Sequence, residues 1–516
     1  MITTSLPYGN EEREILVIYP FDYPDVEPSV LGPPELLWRH QNRRIGNFCL
    51  LEEPAADWWP GMAAAQLVDE ELRWLLEDSE AGAEAVAAGE ADMPEPLSQH
   101  ISADASQPVL VSDPFFVPAL SEDHGELVLV DAKLGTGHVL VSADGFGAPD
   151  EELIARFTGA KGQRHVGTWT ALDDGALSPW PSNEEVLAAV EAANPDALRR
   201  LRRTLERERK RAQVEGYVGV TFIEEGPRRH EQRRGWVFLR VAMQRNGDHQ
   251  VVKALRAFAV TAGERERRTP ELVGLADARV LLVGAGSLGA PVVLELVKAG
   301  IGHIDVIDDD VYDPNNAVRH VLAPYWAGTN KAIALAVDAD ALNPFVHVEA
   351  HPFRVGGGRS QSTMLDTLLA EADVVVDATG SQSAARILQR RCKEFAKPLI
   401  LASLTAGSYG GEVAVFRPDG PCYFCFVLGQ QDGTVPKPAE GPRSNVTPVG
   451  CHTPAFSGSG FDATALAALA ARMVVQTTGR SSYPESDSDF VVVNFRGADP
   501  WRQGHLERHS GCPMCQ

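Results

Sequence analysis

Val280-Leu-Leu-Val283-Gly284-Ala-Gly286-Ser-Leu-Gly289 decides the fold: four apolar residues run straight into a glycine-rich turn, and a segment of helical period follows. Glycines between a strand and a helix let backbone N–H groups approach a phosphate at the positive end of the helix. Asp308 comes nineteen residues after Gly289, at the end of the next apolar run, Ile304 to Ile307, where a carboxylate can accept hydrogen bonds from ribose hydroxyls. Further strand-like runs, Val374 to Val376 and Leu399 to Ala402, alternate with helix-length segments. That alternation predicts a doubly wound, Rossmann-like parallel sheet from residue 263 to the end. On these residues alone, a nicotinamide-dependent dehydrogenase fits as well as any other nucleotide-binding protein.

Composition narrows the class. The chain has 516 residues, 71 acidic against 47 basic, for a formal charge of −24. A globally acidic surface argues against nucleic acid as a partner, because phosphate neutralisation needs clustered Lys and Arg. Apolar residues make up 44% of the chain, enough for several cores, and the length suggests about three domains. No apolar stretch approaches the roughly 18 residues of a membrane helix, and no basic and apolar leader opens the sequence, so the expectation is a cytoplasmic protein without a membrane partner. Seven cysteines in that compartment point to metal ligands or nucleophiles rather than disulfides.

Outside the predicted sheet the chain divides into residues 1–80, rich in Pro, Trp and Tyr, a linker at 81–99 built around an Ala/Glu/Gly segment, and a middle region, 100–262, expected to be α+β. The middle region carries short apolar runs, such as Val218 to Ile223 and Trp236 to Val241, and a charged stretch, Arg199 to Arg211, that reads as an exposed helix. No catalytic constellation is legible in it, and a spacer or docking role is expected.

Just past the second predicted strand lie Asp308-Asp-Asp310, Asn316, Arg319-His320 and Lys331. Hydride transfer has no need of such a cluster of polar and cationic groups, whereas a triphosphate attacked at its α-phosphorus does. The glycine fingerprint, Asp-x-Asp, Asn-x-x-Arg and the downstream lysine together resemble the adenylation domain of ubiquitin-activating enzymes and their bacterial sulfur-carrier relatives, the ThiF/MoeB type. The resemblance covers about the last half of the chain. It implies adenylation of a protein's C-terminal carboxylate with ATP and Mg2+, and a homodimer. It also implies that Gly284, Gly286, Gly289, Asp308, Asp310 and Asn316 bind the nucleotide while Arg319 and Lys331 act on the phosphates. In one place the pattern departs. Where the family has a magnesium-holding aspartate, this chain has Gly380, in Asp377-Ala-Thr379-Gly380-Ser381, which leaves Asp377 or Asp310 to supply the carboxylate.

Cys422-Tyr-Phe-Cys425 and Cys512-Pro-Met-Cys515 are paired Cys-x-x-Cys motifs, the spacing of a closed, structural Zn2+ site. The activating-enzyme family carries the same pairing. Of the remaining cysteines, Cys392 falls in an apolar helix face and reads as a packing residue. Cys451, in Val449-Gly-Cys-His-Thr-Pro454, lies shortly before a helix expected near Ser459, and its Cys-x-x-Pro setting resembles the thioester cysteine of activating enzymes. Cys49 is preceded by His40-Gln-Asn42 and followed by Trp58-Trp-Pro60. This context resembles the core of ubiquitin-conjugating domains, in which Asn42 would stabilise the oxyanion formed when an amine attacks the Cys49 thioester.

Together the resemblances imply a fusion of conjugating-like and activating-like domains, similar to ubiquitin-like conjugation enzymes of antiphage (CBASS-type) operons. The implied partner is a protein with a flexible C-terminal tail, either a cyclic-dinucleotide synthase or a ubiquitin-like protein. The implied relay runs from adenylate to Cys451 and then to Cys49. Two alternatives stay open: a sulfur-carrier adenylyltransferase of the thiamine or molybdenum-cofactor type, and a nucleotide-binding scaffold without turnover.

Overall fold

The computed structural model describes the chain apart from residues 9–10, 35, 38–39, 43–44, 52–53, 82–94, 118–119, 121, 134–135, 159–161, 178–180, 197–198, 200, 202–213, 227–230, 244–248, 443–456, 498–499 and 516. It divides into two compact units, Met1–Thr261 and Ala262–Gln516. Most of the segment expected as a linker, and most of the stretch from Arg199 to Arg211, lie outside the described residues.

The first unit opens with a three-stranded antiparallel sheet, β1 (Ile2–Tyr8), β2 (Glu11–Ile18) and β3 (Ser29–Leu31), packed on Val68 and Leu72 of the following helical segment. The middle region is a closed barrel, a form the sequence reading did not anticipate. Its strands are β4 (Asp104–Ser112), β5 (His124–Asp131), β6 (His138–Ala143), β7 (Arg164–Ala171), β8 (Val214–Glu225), β9 (Gln232–Met243) and β10 (His249–Val260), in the order β10-β4-β6-β5-β7-β8-β9. Closure removes the unpaired edges that strands of this length would otherwise expose. Val109, Leu127, Leu129, Trp169, Trp236 and Phe238 fill the interior. A second apolar cluster joins β8 and β9 to the helix Asn183–Ala193, whose Ser182 and Glu185 form a capping box.

The second unit is an eight-stranded sheet in the order β13-β12-β11-β14-β15-β16-β17-β18. Its strands are β11 (Arg279–Val283), β12 (His303–Ile307), β13 (His347–His351), β14 (Val374–Asp377), β15 (Leu399–Leu404), β16 (Gly410–Phe416), β17 (Phe490–Asn494) and β18 (Trp501–Gly504). The five strands from β13 to β15 are parallel, as expected, whereas β16, β17 and β18 join antiparallel. The reason is local: only Thr405 to Tyr409 separate β15 from β16, too few residues for the crossover a parallel strand needs.

Side chains alternate across the parallel strands. Val280 and Leu282 pack beneath the helices Gly289–Ala299, Lys331–Leu342 and Gly460–Thr478, while Leu281 and Val283 meet Arg359–Glu371, Gln382–Glu394 and Tyr423–Asp432. The helix after β11 thus covers one face and the helix after β14 the other, and a crevice opens between the carboxyl ends of these neighbouring strands. No described helix is long and apolar enough to cross a membrane.

Gly302, leading into β12, is packed so tightly that a Cβ there would lie 1.8 Å from the Ala276 carbonyl oxygen. A Gly302→Ala substitution is therefore expected to cost about 1–3 kcal/mol through forced backbone movement, read as a lower urea midpoint for the transition of the second unit.

Candidate active site

The crevice holds a cavity of about 230 Å³ built from four loops. Gly286, Ser287 and Leu288 come from the turn after β11; Asn316, Arg319, His320 and Lys331 follow β12; Ala378, Thr379 and Gly380 follow β14; Ala402, Ser403 and Leu404 end β15.

The three glycines are required for different reasons. Gly284 has φ +98°, and a Cβ on it would lie 2.9 Å from the Ala378 carbonyl; a Cβ on Gly289 would lie 1.8 Å from the oxygen of Gly284. Both are demanded by the protein's own packing. At Gly286 nothing lies within 4 Å of the Cβ position. The space a side chain would fill belongs to the cavity, where a phosphate needs close backbone approach.

The peptide of Ala285, between these glycines, is held at both ends. Its N–H donates to Asp308 Oδ2 at 2.6 Å, and its carbonyl accepts from His320 Nε2 at 2.9 Å. The His320 Nδ1 accepts from the Leu322 N–H at 3.1 Å, which fixes the neutral tautomer, and burial pushes the imidazole down to about 4. His320 is therefore a neutral clamp on the glycine turn. The other oxygen of Asp308 accepts from the Asp310 N–H at 2.8 Å. Burial raises its pKa, and the two backbone donors and Lys331 oppose that rise.

Lys331 is almost fully buried, and its ammonium pairs with the Asp310 carboxylate. The helix behind it is capped by Asn330, whose side chain accepts from the N–H groups of Ala332 and Ile333. Arg319 donates to Asn316 Oδ1 at 3.0 Å. Two cations thus border the cavity. No carboxylate lines it among the described residues. Asp310 holds Lys331 with one oxygen and accepts from the Val311 N–H with the other. Asp377 is 1% exposed; one of its oxygens accepts from Thr379 N–H and Oγ1, at 3.0 and 2.7 Å, and the other has no partner. Burial raises its pKa. Neither aspartate offers a ready cage for Mg2+, and Gly380, at φ +64° with open space around its Cβ position, adds no ligand. Sequence reasoning passed over Thr379 and Ser403, whose places in the wall depend on the strand order.

Two chain segments separated by 86 residues bring the paired motifs together: Cys422 Sγ lies 4.0 Å from Cys425 Sγ and 3.5 Å from Cys512 Sγ, and Cys425 Sγ lies 3.7 Å from Cys515 Sγ. A tetrahedron with Zn–S bonds of about 2.3 Å has S···S edges of about 3.8 Å, so the four thiols fit zinc. Cys392 is buried in the core cluster, where burial first and the charge of Asp377 second push its thiol up to about 12; it is a packing residue with no thiolate chemistry.

Comparison with known proteins agrees with this geometry. The ThiF family model matches residues 264–513. These residues form a ThiF-family adenylation domain. Over 34% of its length the chain is 36% identical to the SAMP-activating enzyme E1 of Haloferax volcanii, covering 64% of that protein, and 35% identical to the sulfur carrier protein adenylyltransferase of Thermus thermophilus, covering 65% of it. An uncharacterized protein of Sinorhizobium fredii, y4oA, is 26% identical over 95% of this chain and 87% of its own length. The similarity to these two enzymes thus spans about a third of the chain, and the similarity to y4oA almost all of it.

Outside the ThiF-family domain, Cys49 is exposed in a hairpin where Gln41 bridges Phe48. Cys49 N–H donates to the carbonyl of His40, and Asn42 N–H to that of Asn47, both at 2.7 Å. His40 rather than Asn42 therefore stands directly opposite Cys49, and the Asn42 side-chain oxygen accepts from the Ile45 N–H at 3.3 Å. Partial burial, then the charge of Glu95, raise the Cys49 pKa. Cys451 lies outside the described residues.

The His320 shift carries a sign. Its folded pKa, about 4, lies below the unfolded value of about 6.5, so the unfolded state binds more protons between these pH values and stability is lost as pH falls through that window. Comparing urea midpoints from pH 7 to pH 4, the wild type is expected to lose roughly 3 kcal/mol more than His320→Gln.

Proposed function

We propose that the protein adenylates the C-terminal carboxylate of a partner protein at the crevice of its ThiF-family domain. A carboxylate oxygen attacks the α-phosphorus of ATP, the bond to the β-phosphate oxygen breaks, and pyrophosphate leaves with the electron pair. Lys331 and Arg319 neutralise charge on the phosphates, and the backbone around Gly286 supplies N–H donors. The observation that carries this reading is the open space at Gly286 beside two cations, in a cavity whose described lining residues include no carboxylate to repel an anion. Magnesium accompanies triphosphates and keeps several waters; Asp310 is paired with Lys331, and Asp377 has one oxygen held by Thr379 and one buried without a partner, so neither supplies the ion a ready cage.

In the fuller form of the proposal, the Cys451 thiolate attacks the acyl carbon and AMP leaves. The Cys49 thiolate then takes the acyl group by thioester exchange, and a target amine takes it from Cys49. The resemblances at Cys451 and Cys49 support this form. A second reading, adenylation of a sulfur carrier with no role for Cys49, is favoured by the raised pKa of Cys49 and by the named function of the Thermus relative. The four thiolates hold a structural zinc, tying the end of the chain to the helix after β16; a closed shell leaves no position for water or substrate.

Offered ATP, Mg2+ and a ubiquitin-like or sulfur-carrier protein with a flexible tail, the wild type is expected to exchange labelled pyrophosphate into ATP. Lys331→Ala should lower the rate about 10²- to 10³-fold. Exchange equal in the two proteins would remove Lys331 from the phosphates, and no exchange with either class of protein would defeat the proposal. Cys49→Ala separates its two forms: the relay requires loss of the final conjugate with exchange intact, and the sulfur-carrier reading requires unchanged product.

For the thiolate site, Cys512→Ser is expected to hold one zinc per chain fewer than wild type and to lower the thermal transition of the second unit. An unaltered transition after complete removal of the metal would deny it a structural role.

A further inference from the structure

The barrel of the first unit carries a cluster that neither the adenylation chemistry nor the cysteine relay uses. β5 lies between β6 and β7; Asp131 at its end pairs directly with His138 at the start of β6, and Leu129, two residues before Asp131, pairs with His165 of β7. Three adjacent strands thus place two imidazoles and a carboxylate on one side of the sheet, at one end of the apolar interior. His165 Nε2 lies 2.7 Å from Asp131 Oδ1, His138 Nδ1 lies 3.3 Å from the same oxygen, and the three ligand atoms all fall within 4.8 Å of one another.

We propose that Asp131, His138 and His165 form a binding site for a divalent first-row transition metal.

The observation that points to a ligand is His138. The residue is 9% exposed, and its buried Nδ1 makes no hydrogen bond although a carboxylate oxygen is 3.3 Å away. Its other ring nitrogen, Nε2, lies 3.1 Å from the hydroxyl of Tyr217 on β8. With the proton on Nε2, that nitrogen donates to Tyr217, and Nδ1 turns a lone pair toward a carboxylate oxygen, an arrangement that is repulsive until a cation sits between them. With the proton on Nδ1, a buried donor makes no hydrogen bond, which is unfavourable in a buried site. A metal ion bound by Nδ1 removes both problems. Tyr217 then holds the ring through its outer nitrogen, as partners of metal-bound imidazoles do. Arg240, the cation whose field reaches His138, is drawn to Glu215 with a separation of 3.4 Å.

The donor set selects the ion class. Two imidazoles and one carboxylate suit zinc, iron(II), cobalt(II) or nickel(II), and three protein ligands leave at least one position open. This distinguishes the site from the closed cluster of four thiols: an ion here can take water or an exogenous anion as a further ligand.

The test counts metal in the full chain. Wild type, His165→Gln and Asp131→Asn are stripped with chelator, titrated with Zn2+ alone, freed of loose metal by gel filtration and analysed for bound zinc per chain. Each variant is expected to retain one equivalent fewer than wild type, so that whatever the thiolate cluster binds cancels in the difference. Asp131→Asn keeps the size of the side chain, and far-ultraviolet circular dichroism and the thermal transition establish that the barrel is intact in both variants. If both folded variants bind as much zinc as wild type, the proposal is overturned. If His165→Gln does not fold, the Asp131→Asn count decides alone.

Discussion

One peptide group, that of Ala285, carries the architecture of the nucleotide crevice. Asp308 at the end of β12 accepts from its N–H, and His320 from the following loop donates to its carbonyl. The glycines on either side give the turn its shape, but glycine is the residue least able to hold a shape, since it loses the most conformational freedom on folding. Two side chains from another part of the chain supply the rigidity. The clamp works only if His320 is neutral with its proton on Nε2, and the Leu322 N–H bonded to Nδ1, together with burial, enforces that state. Asp308 in turn is tied through the Asp310 N–H to the segment that positions Lys331. Loop shape and the position of Lys331 are thus set by one connected network, in which rigidity at the backbone fixes where the ammonium stands.

Much of this was legible in the sequence because it is local. The strand, glycine turn and helix at Val280 to Ala299 follow from spacing, as do Asp308 at the next strand end and the two Cys-x-x-Cys pairs. What could not be read is what depends on nonlocal pairing. Thr379 and Ser403 reach the cavity only because β14 lies beside β11 and β15 beside β14 in the sheet order. The antiparallel turn from β15 to β16 was missed because a five-residue connection is informative only once the flanking strands are known to be neighbours. His320 was legible as a polar neighbour of Arg319, but its charge state depends on Leu322 and the Ala285 carbonyl.

The barrel makes the same point more sharply. Asp131, His138 and His165 are spread over 35 positions with no motif spacing, and register alone brings them together. A one-residue slip on any of the three strands would turn a ligand to the opposite face, so the cluster exists only as a consequence of the whole sheet. Cys49 is the reverse case. Its motif is readable, but the hairpin register sets His40 opposite it, and Glu95, which accepts from the His40 N–H at 2.9 Å, stands close enough to raise its pKa.

Charge distribution ties these features together. A chain of net charge −24 is proposed to bind a polyanion, and the long-range field is adverse, but it is screened beyond about 8 Å at physiological ionic strength. What decides binding is the local inventory, and there Asp308, Asp310 and one oxygen of Asp377 face donors of the protein itself. Asp308 faces backbone N–H groups, Asp310 faces Lys331 and Val311, and Asp377 turns inward to Thr379. Each carboxylate spends its charge on orienting the protein, which leaves Lys331, Arg319 and the N–H groups around Gly286 as the groups that meet the cavity. The departure at Gly380 belongs to the same arrangement. An aspartate there would place an uncommitted negative charge in the wall, useful only with a bound divalent cation, and glycine at φ +64° shapes the turn without that requirement.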